Sequence, residues 1–240
     1  MLPEPEKAAH ADACLAALKA ATANAHADIE DVPRLAALIS PDLTLRAYGE
    51  VLQRFHAHFA ACEPDLLGCL SGVVPAEALE IRTKLPLLQA DLADLDLPVP
   101  RLAAQKGPDC AASAAGWLYV HEGTSLGGRV VLRSLQTTLG PSLGSARRYY
   151  EGYGKATAAR WKESRRLIAG LITDETALER AIWGACRAFA QIEDVMVSDN
   201  PGRSHLAAWS ALLKCPQSQV ACSPPCPAAR GQVPDSSDVG

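Results

Sequence analysis

The chain has 240 residues, with 23 Lys+Arg against 27 Asp+Glu for a formal net charge of −4; that length suits one domain or two small ones. The mildly acidic balance excludes a nucleic-acid binder whose affinity rests on phosphate neutralisation. A hydrophobic content of 48% with 21% charged residues is that of a folded chain, and the apolar fraction is dominated by the helix formers Ala and Leu, which excludes an all-β fold.

The opening MLPEPEKAAH places acids and prolines where a secretory leader needs a basic patch and an apolar stretch. Residues 1–7 are expected to form a flexible N-terminus. No run of 18 or more apolar residues occurs, so no membrane span is expected. Cysteines 14, 62, 69, 110, 186, 215, 222 and 226 contain no CxxC pair and read as reduced thiols of a cytoplasmic protein.

Leu15, Leu18, Thr22, Ala25 and Ile29 recur at helical steps and predict a first helix over about 8–32, closed by Pro33. On it Lys19, Ala23, His26 and Glu30 share one stripe at spacings of 4, 3 and 4. A metal-ligating imidazole needs a partner for its second ring nitrogen, and a carboxylate one turn on supplies one. Ala23 leaves room for a flat ligand whose anionic edge Lys19 could meet. The same residues also fit a surface histidine beside a salt bridge.

Thr44 caps a second helix running to Cys62, with Tyr48, Val51, Leu52, Phe55 and Phe59 on its apolar face. Pro64 and the 68–75 segment mark a connection, and a third helix covers about 76–95. Gly107-Pro108-Asp109 opens a long apolar stretch that ends at Gly140-Pro141. Within it Gly123, Gly127 and Gly128 each cost about 1 kcal/mol relative to Ala in a helix. A kink, a close approach of backbone to a ligand, or plain helix packing would account for them. A phosphate loop would not, since no strand precedes and no Gly-Lys-Ser/Thr follows.

Later helices are expected over about 155–171 and 175–197, and a short one over 206–213. The first of these carries Lys162 and Arg166 one turn apart, with Arg160 and Arg165 nearby. Such a cluster is either a solvated basic face or a cradle for small carboxylates. From Cys215 to Gly240 five prolines fall in 26 residues, which predicts a disordered tail after a helical domain spanning 8–214.

Three segments in this order, LKAATANAHADIE (18–30), LYVHEGTSLGG (118–128) and ATAARWKESRRL (156–167), resemble the biliverdin-producing haem oxygenases, and the bacterial, bacteriophytochrome-associated branch most. The 43–64 and 84–95 segments add support. The resemblance implies a single-domain all-α fold in which haem is sandwiched between a proximal helix and a kinked distal helix. It implies oxidative cleavage of haem b at a meso carbon to biliverdin, Fe2+ and CO, with O2 and external electrons. By it His26 is the iron ligand and Glu30 its supporting carboxylate. Lys19, Lys162 and Arg166 are propionate contacts, while Gly123, Thr124, Gly127 and Gly128 form the distal wall.

No nicotinamide or flavin motif is present, so the partners implied are a ferredoxin- or reductase-type electron donor and a bacteriophytochrome receiving biliverdin, with no nucleic acid and no membrane. Two positions depart from the family pattern. Thr124 stands where many members have an aspartate that holds a water network, and Leu118 stands where some have a propionate-contacting tyrosine, with Tyr119 beside it. A haem carrier or sensor on the same scaffold is therefore the alternative, and a helical enzyme acting on a thiamine-like substrate a more distant one. Of the other histidines, His56 and His58 read as packing or surface residues, and His121 has a distal-pocket reading. His10 and His205 lack supporting neighbours, and Cys215-Pro216 and Cys226-Pro227 resemble haem-responsive Cys-Pro pairs or are incidental to the tail.

Overall fold

The computed structural model describes residues 3–100 and 105–198, and these are helical with no strand. The expected tail, the 206–213 helix, His205 and the two Cys-Pro pairs lie outside the described residues. No helix among the described residues is long and apolar enough to cross a membrane.

Where one helix was expected over 8–32 there are two, α1 (Glu4–Ala21) and α2 (Ala23–Glu30), so helical structure begins ahead of residue 8. Pro33 opens the short α3 (Pro33–Ala36) at its first turn, the position that needs no N–H. α4 (Leu45–Leu70) begins as expected, with the Thr44 hydroxyl accepting from Ala47 N at 3.1 Å. It runs on past Cys62 and straight through Pro64. One missing ladder bond is tolerated there because Leu66, Cys69 and Leu70 beyond it are buried in the core.

The stretch expected as a third helix divides into α5 (Ala76–Glu80) and α6 (Leu85–Asp94). α7 (Ala111–Thr138) is helical throughout, including all three distal glycines, so the expected kink does not break its hydrogen-bond ladder. The one-turn α8 (Arg148–Glu151) precedes α9 (Thr157–Leu171) and α10 (Glu175–Val197), which match their expected bounds. Asp174 Oδ1 caps α10 by accepting from Ala177 N at 2.8 Å.

The core gathers Tyr48, Leu52 and Phe59 of α4, Leu88 and Leu92 of α6, Leu118 and Leu135 of α7, and Val195 and Met196 of α10. Each fully buried Leu stabilises the fold by about 2 kcal/mol. α7 and α10 form the most extensive helix pair, and they run antiparallel. Gln105 Nε2 donates to Gln191 O at 3.1 Å, and Gln191 Nε2 donates to Lys106 O at 2.9 Å. In the first two turns of α7 the main chains approach so closely that no side chain fits. A Cβ on Gly116 would overlap Ala181 O and lie 2.6 Å from Ala185 N, and one on Gly184 would overlap Ser113 O.

α1 lies antiparallel along α9. His10 Nε2 is 2.9 Å from Ile172 O and 3.2 Å from Ala169 O, and Asp12 pairs with Arg165.

Gly116→Ala should therefore lower unfolding free energy by about 2 kcal/mol or more through overpacking, whereas Gly72→Ala, whose added Cβ meets nothing within 4 Å, should leave it unchanged. Chemical denaturation of both variants checks this; equal stability would contradict the close helix contact.

Candidate functional site

The break between α1 and α2 falls at Thr22, whose buried hydroxyl donates to Leu18 O at 2.8 Å and so competes with the helix ladder. The Tyr119 phenol of α7 is shifted upward by burial, an effect that the neighbouring Thr22 hydroxyl partly offsets. The break between α1 and α2 thus lies beside Tyr119 of α7. One turn further, His26 begins its own ladder, its N–H donating to Thr22 O at 2.9 Å.

The His26 side chain is 58% exposed, with Nδ1 3.6 Å from Glu30 Oε1. Its ring stands edge-on to Phe189 of α10, centroids 5.9 Å apart and planes at 70°. That orientation commits Nδ1 to the Glu30 side, and Nε2 has no hydrogen-bond partner among the described residues. Lys19, in the last turn of α1, is exposed, as are Lys162 and Arg166. The α1–α9 register carries Lys19 toward the N-terminal half of α9, where Lys162 stands. Arg166, nearer the other end, lines a cavity of about 710 Å³ together with Lys7 and His10.

On α7, Gly123 and Gly127 lie one turn apart, and a Cβ on either would meet nothing within 4 Å. Bare main chain there faces open space, flanked by exposed Leu126 and Val130. Gly128 has a different role: a Cβ added there would lie 3.3 Å from Tyr150 O, so it packs closely on α8. The Thr124 hydroxyl donates back to His121 O at 2.8 Å, so its proton is committed to the helix backbone.

The opposite side of α7 holds a buried polar network that the sequence reading missed. Lys84, 2% exposed, directs Nζ to Ser125 Oγ at 2.9 Å and Tyr153 OH at 3.1 Å, with Glu122 Oε1 at 3.6 Å. Glu122 also accepts from Tyr153 OH at 2.8 Å and from Ser164 Oγ at 2.9 Å. Burial pushes the Lys84 ammonium down, and Glu122 and Glu63 oppose that. Glu63 of α4 accepts from Lys84 N at 2.8 Å, and burial raises its carboxyl against that hydrogen bond.

His121 belongs to this side. It is buried, with Nε2 2.9 Å from Arg82 O and its ring edge-on to Phe59 at 5.0 Å. The distal-pocket reading of His121 is corrected accordingly: it faces α4 and the segment before α6, because a position two residues before Gly123 lies about 160° round the helix. His58, stacked on Trp117 at 6.1 Å, and buried His56 are packing residues. No local sequence signal marked the network: Lys84 follows Arg82-Thr83, and Glu122 lies between His121 and Gly123-Thr124-Ser125.

Comparison with known proteins agrees with this architecture. The family model for haem oxygenase matches residues 89–198. A haem oxygenase of Xanthomonas campestris pv. campestris (strain 8004) is 32% identical over 154 residues, spanning 63% of this chain and 90% of that protein. The NO- and CO-bound haem oxygenase of Neisseria meningitidis superposes with a TM-score of 0.61 at 23% identity, covering 75% of this chain and 87% of that one. The all-α fold is therefore the haem oxygenase fold, and the chain belongs to the haem oxygenase family.

Burial holds the His121 imidazole down to about 3 and that of His58 to about 4, both below the unfolded value near 6.5. The unfolded chain then binds more protons between these values, so each group's contribution is complete above pH 6.5 and is lost as pH falls toward 3–4. The raised Glu63 carboxyl acts in the opposite sense. His121→Gln should remove an acid-side loss on the order of 4 kcal/mol. Unfolding free energies measured from pH 7 to 4 should fall less steeply in the variant; parallel curves would contradict a neutral, buried His121.

Proposed function

We propose that this chain is an active haem oxygenase that cleaves haem b at a meso carbon to biliverdin, Fe2+ and CO, using O2 and electrons from a separate redox protein. The observation that carries the reading is one arrangement of two arms. His26, backed by Glu30 near Nδ1 and with no partner at Nε2 among the described residues, stands one turn past Thr22, which lies beside Tyr119. Gly123, one turn past Tyr119, and Gly127 offer bare backbone to open space.

The donor set suits haem. An imidazole whose Nδ1 is held by a carboxylate presents Nε2 as a metal ligand in a fixed orientation. A neutral imidazole gives iron less electron density than a thiolate and so disfavours early O–O cleavage. Haem supplies the iron that binds O2 and the ring that is attacked; the protein supplies orientation and exclusion. Gly123 and Gly127 admit the flat ring and its small ligand by withholding side chains. Lys19, Lys162 and Arg166 would hold the propionates and so fix the ring's rotation, which selects the meso carbon.

One observation favours the carrier alternative. Thr124 donates its hydroxyl proton to His121 O, so no carboxylate and no free hydroxyl proton is offered at that position. Haem, a reductant and O2 added to the purified protein separate the two readings. A bilin spectrum supports the oxygenase, and intact haem after reduction supports the carrier.

His26→Ala should bind haem without proximal ligation and lose nearly all turnover, with partial recovery on adding imidazole. Wild-type biliverdin yield without imidazole would refute the ligand assignment. Lys162→Ala with Arg166→Ala should weaken haem affinity by about tenfold per lost charge-assisted contact or shift the biliverdin isomer ratio. Titration and chromatography of the products read both, and an unchanged affinity with an unchanged mixture would remove these residues from the site.

A further inference from the structure

We propose that Lys84 and Glu122 are positioning residues for the distal segment 123–128, acting as a buried clamp that fixes how the main chain of Gly123 and Gly127 is presented to the substrate; this rests on the haem oxygenase reading above. The clamp grips both sides of Gly123 and Thr124. Glu122 precedes them and is fixed by Tyr153 OH at 2.8 Å and Ser164 Oγ at 2.9 Å. Ser125 follows them and is fixed by Lys84 Nζ at 2.9 Å. Lys84 and Glu122 are 2% and 1% exposed at the side chain, 3.6 Å apart, and they join α7 to the start of α6, to Tyr153 and to α9.

Among the described residues no other contact to the front of this stretch is seen. A Cβ on Gly123 or Gly127 would meet nothing within 4 Å among the described residues, Leu126 and Val130 are exposed, and α10 packs against α7 further toward its N-terminus. A helix turn weakened by glycines and open on one face takes its position from what grips the other face. Hydrophobic packing would leave the rotation of that turn loosely specified, whereas two charged groups with four directed bonds define it. Replacing one partner strands a buried charge, while replacing both by apolar side chains can restore stability without restoring the directed bonds. That difference separates positioning from mere structural support.

The test uses the full chain as Lys84→Met, Glu122→Gln and the double replacement Lys84→Met/Glu122→Leu. In haem-free protein, amide hydrogen exchange should accelerate roughly tenfold or more over 123–128 relative to 114–118 of the same helix. In the haem-loaded ferrous protein, the C–O stretching band of bound carbon monoxide should shift or broaden. The double variant should regain thermal stability and keep both anomalies. Should a single variant fail to fold, the double variant carries the same two measurements. Wild-type exchange over 123–128 together with a wild-type C–O band in a folded variant would overturn the proposal. Wild-type protein that takes up no haem would instead bring down the functional reading, and the exchange measurement would still decide whether the clamp exists.

Discussion

The contact on which this molecule depends is the crossing of α7 and α10 at Gly116 and Gly184, where two main chains meet with no room for a Cβ. It fixes the rotation of α7 and so decides what each face of that helix does. At 100° per residue, Gly116, Gly123 and Gly127 fall within about 40° of one another. One glycine edge therefore runs along the helix, closed by α10 at Gly116 and open at Gly123 and Gly127. The reason lies in α10 itself. It begins at Glu175, only six residues before Ala181, so along its antiparallel course the N-terminal end of α10 lies beside about residue 122 of α7. Among the described residues, α10 therefore does not reach the face of α7 that carries Gly123 and Gly127.

The proximal arm answers a related constraint. A straight helix from Glu4 to Glu30 would carry His26 along the line set by the α1–α9 contact. Thr22 interrupts that line, with its hydroxyl on Leu18 O, and α2 packs against α10 instead. His26 thereby comes to lie beside Phe189 with its second ring nitrogen uncommitted. Burial of the whole imidazole would stabilise the fold more but leave no ligand position.

Much of this was legible in the sequence, unevenly. The α4 and α10 faces followed directly from period-3.6 apolar spacing, since Tyr48, Phe55, Phe59, Phe189 and Met196 face one shared core. The His26–Glu30 pair was legible because both residues lie on one local stripe. The division at Thr22 was not, because a threonine at an apolar-stripe position reads as helix interior until its hydroxyl is seen to bond Leu18 O. Pro64 misled in the opposite direction, as the core on its far side outweighs one missing bond. Periodicity placed the glycines on α7 but could not divide Gly128, which packs on Tyr150, from Gly123 and Gly127, which face space. The Lys84–Glu122 pair was hidden for a plainer reason: its members are 38 positions apart, and each alone looks like a surface charge.

That hidden pair bears on why a long helix with four glycines holds its shape. Gly123, Gly127 and Gly128 together forfeit about 3 kcal/mol of helix propensity, and buried charges seldom repay such a loss in stability alone. What they contribute is direction. Glu122 has hydrogen-bond partners for both its oxygens, and Lys84 reaches Ser125 and Tyr153 at fixed angles. An apolar surface of equal volume would tolerate slippage of the turn by a fraction of an ångström. A wall made of bare backbone cannot tolerate that, since it has no side chain that could shift to restore the fit. Glycine on the open face and buried charge on the opposite face are therefore two halves of one solution.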